Sequence, residues 1–133
     1  MDEGWCGEEY LIIFSEEESA ERTLQYQLAE YLPGYCIVGI RSWDDFLILD
    51  ESGGLFTVPT VPLSSEYIEP YRLPKPLILT IDEPIAAKIK WYVHPIVLGG
   101  DPNLGKNVVW LNHEDHYQTV RYWNEYISSI GAG

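Results

Sequence analysis

Apolar residues occur along this chain in short bursts, and the spacing inside each burst changes from one segment to the next. Tyr10-Leu-Ile-Ile-Phe14 is a continuous apolar run with the length of a buried strand. Ser15 follows as a helix N-cap, and Glu18, three residues on, completes a capping box. Glu16, Glu17 and Glu18 fill the first turn, where the helix dipole favours negative charge. Ala20, Leu24, Leu28 and Tyr31 recur at helical spacing until Pro33-Gly34 stops the helix. The glutamate cluster serves either as a solvated cap or as a binding edge, and the pattern leaves both open.

After Gly34 the period shortens. Cys36-Ile-Val-Gly-Ile40, Phe46-Leu-Ile-Leu49 and Leu55-Phe-Thr-Val58 read as three strands of an antiparallel meander, joined by Arg41-Ser-Trp-Asp-Asp45 and by the turn Glu51-Ser-Gly-Gly54. Five prolines between Pro59 and Pro76 make that stretch loop or short irregular helix. Leu77-Ile-Leu-Thr-Ile81 fits a strand, and Pro84 to Tyr92 fits helix or strand. His94-Pro-Ile-Val-Leu98 and Val108-Val-Trp-Leu111 flank a Gly-rich loop as paired strands or as one strand and a return. Asn112 caps a final helix with Asp115 at the capping-box position, Val120, Trp123, Ile127 and Ile130 form its apolar stripe, and Gly131 ends it. The expected fold is α+β: a curved antiparallel sheet of about five to six strands packed with a helix from the N-terminal half and a C-terminal helix.

The chain has 133 residues, and no repeat or linker divides it, so residues 1–133 are expected to form one domain. A chain of this length buries roughly two-thirds of its unfolded surface. At 46% hydrophobic and 22% charged, it is not a disordered sequence. No apolar run approaches the ~20 residues of a membrane span. The acidic start Met1-Asp2-Glu3 is unlike a secretory signal, so a cytoplasmic location is expected. Cys6 and Cys36 lack metal or redox spacing and are expected as free thiols, Cys36 buried in its strand.

Charge adds more. Eight basic residues against 21 acidic ones give a net charge of −13. Residues 1–69 hold 15 acidic and 2 basic residues, whereas residues 70–133 hold 6 of each. Such a balance excludes nucleic acid and anionic membrane as partners, since both need a positive face. It fits either plain solubility or a surface that steers a basic protein partner.

Catalytic and cofactor chemistry are not signalled. Gly100-Asp-Pro-Asn-Leu-Gly105-Lys106-Asn107 nearly spells a phosphate-binding loop, but Asn107 lacks the hydroxyl that ligates magnesium, and a β-branched run follows in place of a helix. His113-Glu-Asp-His116 sets two histidines three residues apart, not the four of the zincin motif. There is no G-x-S-x-G elbow. In strands, the adjacent acids Asp44-Asp45 and Asp82-Glu83 would point to opposite faces. No catalytic residue, metal or cofactor is assigned.

Aromatic residues are in surplus, with five Trp and ten Tyr. Trp91, Trp110 and Trp123 lie in apolar contexts and are expected in the core. Trp43 sits in a turn beside Asp44 and Asp45, while Tyr67 and Tyr71 accompany Glu66 and Glu69 in the Pro-rich loop. Large rings with few torsions are favoured interface anchors, and the alternative is that these rings fold back to cover the sheet. The candidate partner-binding set is therefore Trp43 as anchor, Asp44, Asp45, Asp50 and Glu51 as rim charge, and Glu66, Tyr67 and Glu69 in the loop.

The string Glu30-Tyr-Leu-Pro-Gly-Tyr35-Cys-Ile-Val-Gly39, then Phe46-Leu-Ile-Leu-Asp50, a Gly-containing turn and Val58-Pro59, resembles the SUKH superfamily of Smi/Knr-like proteins. His94-Pro-Ile-Val-Leu-Gly-Gly-Asp-Pro102, with His116 and then Val120-Arg-Tyr-Trp-Asn124, is similar to the tails of bacterial members. Arg41 to Asp45 replaces the Gly-rich turn of many members. The resemblance implies a non-enzymatic α+β domain of the immunity type, which neutralises a cognate polymorphic toxin. Two other readings stand beside it: a housekeeping scaffold or regulator of the same fold, and a small enzyme holding a metal on His113 and His116.

Overall fold

Two strands, not one, precede the first helix. The computed structural model describes residues 1–101 and 107–131. Strand β1 (Asp2–Cys6) pairs antiparallel with β2 (Glu9–Ile13) across a turn at Gly7, whose φ of +63° suits glycine. The acidic start carried no apolar signal for β1. Its Glu3 instead accepts hydrogen bonds from the Tyr10 hydroxyl (2.5 Å) and the Ala87 N–H (2.8 Å).

Helix α1 (Glu16–Gln25) begins with the expected capping box: the Glu18 N–H donates to Ser15 Oγ and the Ser15 N–H donates to Glu18 Oε1. Its inward face differs from expectation. Leu24 is 78% exposed and Ala20 also faces solvent, while Ser19 is buried. The reason lies in the sheet. Strand β2 pairs with β3 (Cys36–Arg41) only from Gly39 onward, so the first half of β3 lacks a full neighbour. Helix α1 closes that edge with side chains: Ser19 Oγ donates to the Ile37 carbonyl, and the Ile37 N–H donates to Thr23 Oγ1. Buried backbone groups need partners, and here polar side chains supply them. The helix ends at Gln25; Gln27 turns left-handed (φ 55°), and a short 3₁₀ segment at Leu28–Glu30 buries Leu28.

The meander forms as the alternation suggests. Strands β3, β4 (Asp45–Leu49) and β5 (Leu55–Pro59) pair antiparallel, and β6 (Glu69–Pro70) adds an edge, giving a six-stranded sheet in chain order. The Pro-rich segment contributes a 3₁₀ turn at Ser65–Tyr67. Leu77 to Ile81 is not a strand; it touches the sheet only through a bridge between Thr80 and Trp5, where a Cβ on Gly4 would lie 2.6 Å from the Thr80 backbone. Pro84 to Tyr92 divides between a 3₁₀ turn (Glu83–Ile85) and strand β7 (Ile89–Tyr92).

Strand β7 pairs with β8 (Val108–Leu111) as a separate two-stranded sheet. His94 to Leu98, expected to take part in strand pairing, is instead a loop and a 3₁₀ turn (Ile96–Leu98), because Pro95 has no N–H for a ladder. Helix α2 (His113–Gly131) starts with the Asp115 N–H on Asn112 Oδ1. It buries His116, Val120 and Asn124, a line at four-residue spacing; Ile130 is exposed. One apolar cluster joins Tyr10, Ile12, Tyr26, Ile37, Ile40, Phe46, Ile48 and Val58 of the meander side to Ile89, Trp91 and Val120. Both cysteines are free, and Cys36 is half-buried, less enclosed than expected. No helix among the described residues is long and apolar enough to cross a membrane.

Candidate protein-binding surface

The register Arg41↔Asp45 leaves Ser42, Trp43 and Asp44 to turn the chain between β3 and β4. Ser42 and Trp43 both have left-handed backbones (φ 45° and 63°), a conformation costing roughly 1–2 kcal/mol at each non-glycine residue. Two features hold it. The Ser42 N–H donates to the Tyr10 carbonyl (2.6 Å) and the Tyr10 N–H to Ser42 Oγ (3.3 Å). The Trp43 ring folds inward, stacks on Tyr10 at 5.0 Å, and meets Trp5 and Trp110 edge-on at 5.8 and 5.1 Å. Burying an indole contributes about 5 kcal/mol, which is set against the strain and against a buried Trp43 Nε1–H with no acceptor among the described residues.

The two tryptophans thus exchange the environments expected of them. Trp43 is 8% exposed and belongs to the core; its indole is not on offer to a partner in this conformation. Trp110, expected inside, is 40% exposed on the open face of β8.

With Trp43 turned in, Asp44 is turned out. Its backbone carbonyl accepts from the Thr60 N–H, but its carboxylate has no hydrogen bond or ion pair with any described residue. The residue keeps surface open to water, yet the carboxylate is crowded. That partial desolvation raises its pKa, with Lys90 acting the other way and Asp45 adding to the rise. Asp45, by contrast, is paired: Arg41 Nη2 lies 2.8 Å from Asp45 Oδ2, and Arg41 Nη1 lies 3.7 Å from Glu9.

Both aspartates line a cleft of about 230 Å³ with Pro59, Thr60, Val61, Trp91, Tyr92, Pro95, Ile96 and Val97. Its outer wall is a ridge in which Val93, Ile96 and Val97 are 56, 44 and 56% exposed. The ridge is held firmly from below. Asn107 donates from Nδ2 to the His94 carbonyl and accepts the His94 N–H on Oδ1, each at 2.8 Å, and its carbonyl takes the Val93 N–H. On the far side of the ridge lies an aromatic groove of His94, Leu98, Tyr122, Trp123 and Tyr126, with His94 stacked on Trp123 at 6.0 Å. The ridge residues Ile96 and Val97 thus lie in sequence between His94 and Leu98, which line this second groove.

Other predicted residues do not join this surface. Asp50 and Glu51 lie past the opposite end of β4, about 16 Å from Asp45 at the rise of a strand. Asp50 Oδ1 accepts from the Ser52 N–H, the Ser52 hydroxyl and the Gly54 N–H; the Ser52 hydroxyl bond leads in holding the carboxyl below its usual range. It is a turn-forming residue. Glu66 and Tyr67 sit on the 3₁₀ turn and Glu69 on edge strand β6, all exposed and away from the cleft.

The histidine pair is structural, with His116 buried and His113 half-buried. His116 Nδ1 lies 2.6 Å from the Tyr26 hydroxyl and its ring meets Trp91 edge-on; His113 Nε2 lies 3.1 Å from Gln25 Oε1. Burial lowers the His116 pKa to about 3 and the His113 pKa to about 4. Among the described residues no group of three His, Cys, Asp or Glu side chains is placed to hold a metal ion. Of the near-phosphate-loop string, residues 102–106 lie outside the described residues; Asn107, at its last position, is the clamp on His94.

Sequence reasoning missed Thr60, Tyr92, Ile96, Val97, Tyr122 and Tyr126. A usable signal existed in Val93 to Leu98, where proline interrupts an apolar run and removes it from sheet pairing. Compared with models of protein families, with curated proteins and with solved structures, the chain matches none.

Proposed function

We propose that this chain is a non-enzymatic, SUKH-type binding domain that acts in the cytoplasm as an immunity protein, neutralising a cognate bacterial toxin by docking on a basic surface of it. The observation that carries the reading is the exposed Val93–Val97 ridge, rigidly clamped by Asn107 and bordered by the unpaired carboxylate of Asp44. Apolar surface at the centre of a patch contributes affinity, and unpaired charge at its border selects the partner and speeds encounter. A net charge of −13 adds long-range attraction to any basic protein. Toxins that act on nucleic acid carry such a basic groove, which makes a nuclease the best-matched class.

The test is co-expression with the product of the gene next to this chain's own. That product expressed alone arrests growth, and this chain restores growth while forming a stoichiometric complex with it. Absence of both rescue and complex overturns the reading. A complex with a host protein, without rescue, moves the chain to the scaffold or regulator class.

A further inference from the structure

The cleft under the β3–β4 turn holds two polar groups without partners. The Asp44 carboxylate is one. The other is Thr60, which is 4% exposed, lines the same cleft, and has no hydrogen bond from its hydroxyl to any described residue. The hydroxyl oxygen is not among the fully buried unpartnered atoms, so it opens into the cleft and is free to bond what enters there. Asp45, held by Arg41, also lines the cleft, and the remaining walls are apolar or aromatic, chiefly Trp91, Tyr92, Ile96 and Val97.

We infer that this cleft receives the side chain of one arginine on the basic protein partner, its guanidinium bound by Asp44 and Thr60. The inference rests on the binding reading above and names the contact through which that binding is read. Volume favours a single side chain: about 230 Å³ is smaller than the ~300 Å³ at which small-molecule sites begin. The walls match arginine in order, with ring and aliphatic surface for the stem and the guanidinium face, and oxygen acceptors for its N–H groups. Arginine is preferred to lysine because a planar fork reaches two acceptors at once and is more weakly hydrated on entry.

The chain's own cations leave the position open. Arg41 is engaged by Asp45 and Glu9 and lies over the Tyr71 ring. The Lys90 ammonium sits over the faces of Trp43 and Tyr92, at 5.5 and 5.2 Å, and forms no ion pair with Asp44. Asp44 directly follows the two left-handed residues, lines the cleft and makes no ion pair with Arg41.

The experiment is an amide-resolved NMR titration of the full chain with a blocked Gly-Arg-Gly peptide, its lysine counterpart, and its citrulline counterpart, which keeps the shape and loses the charge. The arginine peptide is expected to shift the amides of Asp44, Thr60, Tyr92 and Val97, with the citrulline peptide about tenfold weaker and the lysine peptide between them. Asp44→Asn lowers the arginine affinity about tenfold and Thr60→Val about threefold, while Glu114→Gln, remote on α2, changes nothing. Equal binding of the arginine and citrulline peptides, unchanged binding to Asp44→Asn, or no shift at these amides overturns the inference. The peptide comparison needs no variant and so stands even if a substitution disturbs the fold. If the peptides fail while toxin neutralisation holds, the cleft assignment falls and the binding function remains; if rescue fails while the arginine peptide binds, the reverse is true.

Discussion

The N-terminal meander and the C-terminal third use their side chains in opposite ways. In the meander, acids that look available are already occupied. Glu3 binds Tyr10 and Ala87, Glu9 binds Tyr71, Glu18 caps α1, Asp45 pairs with Arg41, and Asp50 folds its own turn. In the C-terminal third, rings and aliphatic groups that look like core stand in water: Val93, Ile96, Val97, Trp110, Tyr122 and Tyr126. A surplus of acid is thus a weak guide to a binding face, because short-range structural duties absorb much of it. Asp44 is informative because it has no such duty and borders the exposed apolar ridge.

The contrast can be broken most severely from the meander side. Phe46 is fully buried on β4, so Phe46→Ala should destabilise the fold by about 3–5 kcal/mol in urea unfolding, against less than about 1 kcal/mol for Tyr122→Ala, a ring 60% exposed on α2. Comparable losses at the two rings would mean that the C-terminal face is packed in solution.

Acid comes next. Buried His116 and half-buried His113 are held neutral in the native state, at about 3 and about 4, whereas the unfolded chain protonates near 6.5. The unfolded state therefore binds more protons across this window. Stability should fall as pH drops from about 6.5 toward about 4, by roughly a few kcal/mol. Most carboxylates remain ionised over the upper part of that range, so a thermal-melting series from about pH 7 to about pH 5 isolates the imidazoles. His116→Leu should flatten the slope; an equally steep slope in that variant would assign it elsewhere.

A smaller loss is expected where the two regions are stitched together. Asn124 accepts the Leu63 N–H and donates to the Thr60 and Val120 carbonyls. Asn124→Ala leaves the buried Leu63 N–H without that acceptor and should cost about 2 kcal/mol, read by denaturant midpoint. A loss below about 0.5 kcal/mol would show that the Pro-rich loop is held by its apolar contacts alone.

How much of this was legible in the sequence follows the same division. The meander, the Ser15 capping box and the Asn112 cap were readable because alternation and capping are local signals. The inward face of α1 was not, because Ser19 and Thr23 answer to an open edge of β3 that exists only once the sheet is built. Trp43 fits two readings in the sequence, an interface anchor or a ring folded back on the sheet; two consecutive left-handed residues bring about the second, and nothing in Ser-Trp announces them. The surface at Asp44 was half-found: the acid was named, while its cleft depends on Thr60 and Ile96, brought together across long stretches of chain.

The least costly substitutions for stability are expected to be the most costly for function. Ile96→Ser with Val97→Ser, on the exposed ridge, should change unfolding free energy by less than about 0.5 kcal/mol. The decisive measurement is calorimetric affinity of that double variant for the product of the neighbouring gene, the partner that the proposed function calls for. The predicted result is binding weakened about a hundredfold, near 2.7 kcal/mol, in a protein as stable as the parent. Wild-type affinity in a normally folded double variant would contradict the account, since the ridge could then be removed from the interface without consequence.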